Sequence, residues 1–368
     1  MTIVYAIIIF CILIFVHETG HLITAKLTRI QVNEFALGMG PKIFGFRRGE
    51  TKYQLRAIPI GGFCAMEGED EESDNPRAFG NRPARVRALV LCAGSLMNVL
   101  LAIVLLSIII FVVGEPITRI AQVSDASPAF SDGLRAGDRI TAIDGQPVKK
   151  YDDVLVIVSG IAAAHEEETS AALENAKANA PAEGEALPDT VTDSGIPVTL
   201  TVERAGGVQT IETEFYYDAA GALKIGITPE LGRSAGYFFR SFGYGVQATG
   251  NMARLMYEVL GDLVTGQAGM DQLTGPVGIV KTVGETAQYG FIYVVQLAAL
   301  ISLNLGIVNL LPFPALDGGR LVFLVIRKVT GRKITDAIEG RVHLVGIICL
   351  FALMAVITLQ DINRFILH

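Results

Sequence analysis

Four stretches of the chain are apolar around their whole circumference rather than along one stripe. Residues 3–16 read IVYAIIIFCILIFV, and the run resumes from Leu22 to Leu27. Comparable runs lie near 88–113, 291–313 and 342–360. At 1.5 Å of rise per residue, each is long enough to cross about 30 Å of hydrocarbon. The pattern predicts four transmembrane helices. Between the second and third the period changes: at 197–204 and 210–217, β-branched and apolar residues alternate with polar ones, as in half-buried strands.

Composition agrees. Hydrophobic residues make up 51% of the 368, and the mean hydropathy is +0.46, which excludes an ordinary soluble protein. No Lys or Arg precedes the first apolar run and no small-x-small cleavage site follows it, so it reads as a retained span. Residues 26–87 carry eleven Lys+Arg, and a second basic cluster from Arg320 to Arg341 separates the last two spans. The positive-inside rule places both loops in the cytoplasm. Residues 115–235 hold 20 Asp+Glu against nine Lys+Arg, so that region and both termini are expected outside. The net charge of −7 gathers there, and no nucleic-acid partner is expected. Cys11, Cys64, Cys92 and Cys349 are scattered and read as apolar packing.

Against that frame, His17-Glu18-Thr19-Gly20-His21 stands out, because ionisable residues inside a span are costly and mark function by default. On a helix, positions i and i+4 share a face, so His17 and His21 can reach one metal ion. Glu18 beside them can take a proton from a metal-activated water. The bland alternative is mutual pairing of these side chains in a helix bundle. His17 is about 14 residues into its helix, roughly 20 Å from the outer end, hence in the cytoplasmic-side third of the membrane.

A catalytic zinc site usually has three protein ligands. His165 and His368 fall outside by topology, and His343 opens the fourth span at the interface. Asp317, in Asn309-Leu-Leu-Pro-Phe-Pro-Ala-Leu-Asp317-Gly-Gly, lies at the cytoplasmic end of the third span, the leaflet His17 reaches. Pro312 and Pro314 should break the helix there, and broken backbone at membrane depth is tolerated where it is buried in protein or lines a wet cavity.

These pieces resemble the site-2 proteases, the M50-type zinc intramembrane protease family, and within it the bacterial regulator-of-sigma-E branch. The resemblance rests on HETGH at 17–21, Glu34-Phe-Ala-Leu-Gly-Met-Gly-Pro41, Ile58-Pro-Ile-Gly-Gly-Phe63 and Ala93-Gly-Ser-Leu-Met-Asn98. It continues through Leu273-Thr-Gly-Pro-Val-Gly278 and Asn304 to LDGG at 316–319. It implies one Zn²⁺ held by His17, His21 and Asp317, with Glu18 as general base. Asn304 and Asn309 would hold or orient the substrate backbone. Gly61, Gly62 and Phe63 would belong to a membrane-associated β-loop at 58–66 that pairs with an unwound substrate strand, which suits a peptide bond that a helix otherwise hides. Ser95 departs from the proline common at that position.

Residues 116–148, with Ser127-Pro128-Ala129, Gly137-Asp138-Arg-Ile140 and Asp144-Gly145, resemble a bacterial PDZ domain. Leu223–Ile227 would close its sheet. The stretch 161–195 carries eight acids and one Lys with few large apolar residues, and reads as a solvated insertion. The expected fold is a membrane α-helical protein with four transmembrane helices, a β-loop and one inserted β-rich PDZ domain. Its parts are a first half of the protease core at 1–114, the PDZ domain at 115–232, and a second half at 233–368 that opens on an amphipathic segment. The expected activity is a metalloendopeptidase of the bacterial inner membrane. Its partners would be single-pass transmembrane substrates, the lipid bilayer and a peptide ligand of the PDZ domain. A non-catalytic PDZ scaffold and a metal transporter are the rival readings.

Overall fold

The computed structural model describes residues 2–69, 71, 73–165, 168–171, 174, 195–218, 222–233, 236–266, 275–331 and 336–364. The chain divides into two compact units, Met1–Val112 with Phe238–His368, and Val113–Tyr237. The first unit opens with α1 (Thr2–Leu27), β1 (Val32–Arg48), β2 (Thr51–Met66) and α2 (Ala84–Val113). The intervening stretch supplies β3 (Glu115–Val123), α3 (Pro128–Ser131), β4 (Arg139–Ile143), β5 (Gln146–Pro147) and α4 (Tyr151–Ala164). It continues with β6 (Ile196–Arg204), β7 (Gly207–Tyr217), β8 (Leu223–Lys224) and β9 (Ile227–Gly232). Then follow α5 (Tyr237–Thr265), α6 (Pro276–Tyr289), α7 (Phe291–Asn309), α8 (Asp317–Thr330) and α9 (Asp336–Ile362).

Among the described residues, four helices are long and apolar enough to cross a membrane: Thr2–Leu27, Ala84–Val113, Phe291–Asn309 and Ile338–Ile362. They carry rows of exposed apolar side chains, such as Ile3, Val4, Ile8 and Ile12 on α1 and Leu344, Val345, Ile348 and Phe351 on α9. Surfaces of this extent are stable against lipid rather than water, so the chain is a membrane protein. The third span ends at Asn309, before Pro312, because a helix cannot continue through prolines that lack an N–H.

Ala6, Ile9 and Leu13 of α1 pack against Val283 of α6 and Val294 of α7. Ala102 and Leu106 of α2 pack against Ala299, Leu303 and Ile307 of α7, with α5 covering them through Ala248 and Met252. The C-terminal end of α1 packs with the β-hairpin and the start of α2 through Ala25, Ile30, Phe35 and Val90. Small residues bring the helices close: a Cβ at Gly20 would lie 2.4 Å from the Ala93 carbonyl oxygen, and one at Gly306 would lie 2.9 Å from that of Ser95.

The β-loop expected at 58–66 is the end of a much larger hairpin. Residues 42–48 pair with 51–56, while 34–37 pair on one side with 52–55 and on the other with 62–65. The strand bends at Gly38 and Gly40, whose φ values of +86° and +81° suit glycine. At its turn, Glu50 bonds Arg77 at 2.7 Å and Lys26 at 2.9 Å, pairings that pull its carboxyl down to about 2 and tie the hairpin to the end of α1.

In the second unit the strands run β8-β7-β6-β4-β3-β9, with β5 on β4. Ile196, Val198, Leu200 and Val202 of β6 are buried while their alternate neighbours face outward, the period read from the sequence. They meet Leu134, Ile140, Ile143, Phe215 and Tyr217 in one core. At its rim, Arg204 grips the buried Asp138 carboxylate with two bonds of 2.6 Å. Residues 175–194, the centre of the acidic insertion, lie outside the described residues.

Candidate metal centre

His17 and His21 are one turn apart on α1 and both buried, with their Nε2 atoms 3.2 Å from each other. Asp317, the first residue of α8, places Oδ2 at 3.3 Å from His17 Nε2 and 3.4 Å from His21 Nε2. The three atoms form a nearly equilateral triangle. In a tetrahedral zinc site with bonds of 2.0–2.1 Å, ligand atoms stand about 3.3–3.4 Å apart, so the triangle already has the size of one face of that tetrahedron.

The surrounding groups turn these atoms into ligands. His21 Nδ1 lies 2.9 Å from the Val90 carbonyl and donates to it, which leaves Nε2 with its lone pair facing the triangle. Asp317 Oδ2 is buried and receives no conventional hydrogen bond. Three electron pairs converging on one buried point repel one another, and a cation there removes the conflict. The residues present therefore fit a zinc ion.

Asn98, fully buried on α2, lies 3.2 Å from His17 Nδ1, and its Oδ1 is otherwise unbonded. With the amide turned over, Oδ1 accepts the His17 Nδ1–H, the same arrangement that Val90 makes for His21. Gly94, one turn earlier on the same face, forms a wall of the site: a Cβ there would lie 2.4 Å from His21 Nε2 and 2.7 Å from His17 Nε2. In sequence, Gly94 and Asn98 stand only as members of the Ala93–Asn98 motif, with no site role of their own. Their signal was a polar residue and a glycine four apart in an otherwise apolar span.

Glu18 sits against the hairpin. A Cβ at Gly62 would come within 3.2 Å of its Cγ, and the Cys64 backbone N–H approaches its carboxylate. Residues 62–65, which pair with 34–37 on one side, thus pass Glu18 as an edge. Gly61 turns with φ +84° beside Met39, and Phe63 lies under the Arg56 guanidinium at 4.8 Å. The Asn309 amide nitrogen, at the end of α7, is 3.5 Å from His17 Nε2. Asn304 is exposed and outside the cluster. Five residues is about 140° around a helix, so the two asparagines point to different sides.

The turn from 310 to 316 delivers Asp317. A Cβ at Gly318 would lie 2.2 Å from the Leu311 carbonyl oxygen and one at Gly319 2.4 Å from that of Phe313, so the two glycines let α8 start directly over the turn. His343 lies outside the three-residue cluster, and its Nδ1 accepts the Ala315 N–H at 2.9 Å. His165 belongs to the second unit, and His368 lies outside the described residues. All four cysteines are free. A polar cavity of about 370 Å³, lined by Glu69, Leu91, Arg320 and His343 among others, lies near the start of α8 but takes no wall from the three-residue cluster itself. Arg320, one turn after Asp317, bonds Glu69 there at 2.8 Å.

Residues 5–353 match the peptidase family M50. Relatives over the whole chain carry protease names. A Clostridium acetobutylicum protein named as a candidate zinc metalloprotease is 34% identical over 98% of this chain and 97% of its own length. Zinc metalloprotease RasP of Geobacillus kaustophilus is 30% identical over 100% of this chain and 99% of its own. Regulator of sigma-W protease RasP of Bacillus subtilis is also 30% identical, over 100% and 99%.

Proposed function

The chain belongs to peptidase family M50 and is a zinc metalloprotease, and from that premise we propose that it cuts single-pass transmembrane segments within the bilayer. The observation that carries the reading is the triangle of His17 Nε2, His21 Nε2 and Asp317 Oδ2, next to Glu18 and inside an apolar span.

His17, His21 and Asp317 hold one Zn²⁺. When bound, zinc makes water acidic and polarises the carbonyl of the peptide to be cut. Glu18 takes the proton of the attacking water and delivers it to the leaving amine. Asn309, 3.5 Å from His17 Nε2, orients the substrate peptide; its position favours it over Asn304 for this role. A transmembrane helix buries its peptide bonds in its own hydrogen bonds, so it must be extended before attack. The edge at Gly61, Gly62 and Phe63 receives the extended strand beside Glu18, which replaces the lost hydrogen bonds. Water enters from the cytoplasmic side, where the cavity beside Arg320 lies on the basic-loop side of the chain.

The chain is placed in a bacterial inner membrane with both termini outside. The β-rich unit is a PDZ domain on the outer side, which either binds a peptide end by strand addition or excludes substrates with bulky outer parts. Substrates are trimmed anti-sigma factors or signal-peptide remnants; the sigma-W regulator among the relatives supports the first class.

The test is co-expression of a single-pass substrate lacking its outer domain with the wild type and with Glu18→Gln. Cleavage by the wild type alone is expected. Equal cleavage by both would remove Glu18 from the chemistry, and no cleavage by either, with zinc bound, would favour a scaffold.

A further inference from the structure

Asp317 reaches the histidines at the end of a turn that is neither helix nor strand. Two residues earlier, Ala315 has φ +83°, a left-handed conformation that a residue with a Cβ adopts only when its surroundings hold it. Its N–H donates to Nδ1 of His343 on α9 at 2.9 Å. The His343 ring is itself fixed. It is buried, lies 5.9 Å from the Phe323 ring of α8, and has its Nε2 3.9 Å from Glu339 Oε1. Glu339 in turn bonds Arg327 at 2.6 Å. One turn further along α9, Gly346 lies against Pro314, where a Cβ would come 2.5 Å from the carbonyl oxygen. Two residues span at most about 7 Å of chain, so whatever fixes Ala315 largely fixes Asp317.

We propose that His343 is a positioning residue of the metal centre: its Nδ1 lone pair holds the Ala315 N–H in the left-handed turn that sets Asp317 against His17 and His21. The inference rests on the zinc site proposed above. To accept at Nδ1, the ring must carry its proton on Nε2, the side that faces Glu339. The fourth span thereby belongs to the metal centre without supplying a ligand.

The test uses the full chain purified in detergent. Zinc affinity is read by competition with a chelator, and the visible absorption of the cobalt-loaded protein reports ligand geometry in the folded fraction. His343→Leu removes the acceptor. His343→Asn restores one, since Oδ1 branches from Cγ as Nδ1 does. Adding Ala315→Gly to His343→Leu removes the need to hold a strained residue. The expected result is a loss of at least about tenfold in zinc affinity and an altered cobalt spectrum for His343→Leu, and near wild-type behaviour for His343→Asn. The added glycine should recover part of the loss. Wild-type affinity and spectrum in folded His343→Leu would overturn the proposal, as would a folded His343→Asn that fails as badly as His343→Leu. If the wild type itself bound no zinc, the reading of the site would fail, independently of His343.

Discussion

Replacing Gly94 by alanine should damage the metal centre more than the fold. The new Cβ would stand 2.4 Å from His21 Nε2 and 2.7 Å from His17 Nε2. Non-bonded atoms settle near 3.5 Å, so the rings must retreat by roughly 0.8–1.1 Å, against a tolerance of about 0.2 Å in metal–ligand distances. The helix cannot move away cheaply, because α7 packs directly against it: even a Cβ at Gly306 would lie only 2.9 Å from the Ser95 carbonyl oxygen. Overpacking of this kind costs about 1–3 kcal/mol. The metal-free protein relieves it by turning the imidazoles aside, so the cost falls on binding: roughly 5- to 150-fold in zinc affinity, at about 1.4 kcal/mol per factor of ten. Chelator competition on purified Gly94→Ala measures it, with the melting temperature of the metal-free protein as the stability control. Gly250→Ala, on α5 with nothing within 4 Å of its added Cβ, is the matched control and should bind zinc normally. Gly94→Ala with wild-type zinc affinity would refute the geometry.

Two further predictions concern the metal and the second unit. Stripping zinc with a chelator should abolish proteolysis and lower the melting temperature, and added zinc should restore both, since a ligand that binds only the folded state stabilises it; a stripped protein that still cleaves would exclude metal chemistry. Burial alone would raise the Asp138 carboxyl, but Arg204 and the Arg135 N–H overcome it and hold the group below the ordinary carboxylate range. Its stabilising contribution is therefore complete above the unfolded value, about 4, and is lost as pH falls through the lower folded value. Arg204→Ala, which strands a carboxylate whose side chain is 1% exposed, should cost roughly 3 kcal/mol at neutral pH. Melting curves of wild type and variant should converge as the pH drops below about 4; a constant gap would contradict the pairing.

The spans were legible because a bilayer demands long apolar runs, and β6 because one buried face imposes a period of two. The pair His17 and His21 was legible from helical spacing, and Asp317 from topology. The hairpin was legible only in its last nine residues. Gly38, Gly40 and Pro41 interrupt alternation in β1, and the strand is paired on both sides, so neither face carries a clean polar pattern. Asn304 lies apart from the metal cluster. It shares a helix with Asn309, yet five residues of helical phase turn it elsewhere. The roles of Gly94, Asn98 and His343 depend on contacts across 73 to 77, 81 and 28 residues of sequence, which no local pattern encodes.

The most direct test of the central claim is to reconstitute the zinc-loaded chain with a single-pass substrate in lipid vesicles and map the cut by mass spectrometry, for wild type and Glu18→Gln. A cut inside the apolar segment, made by the wild type and absent with Glu18→Gln, is the predicted result. A cut confined to residues outside the bilayer, or an undiminished cut by Glu18→Gln, would contradict it.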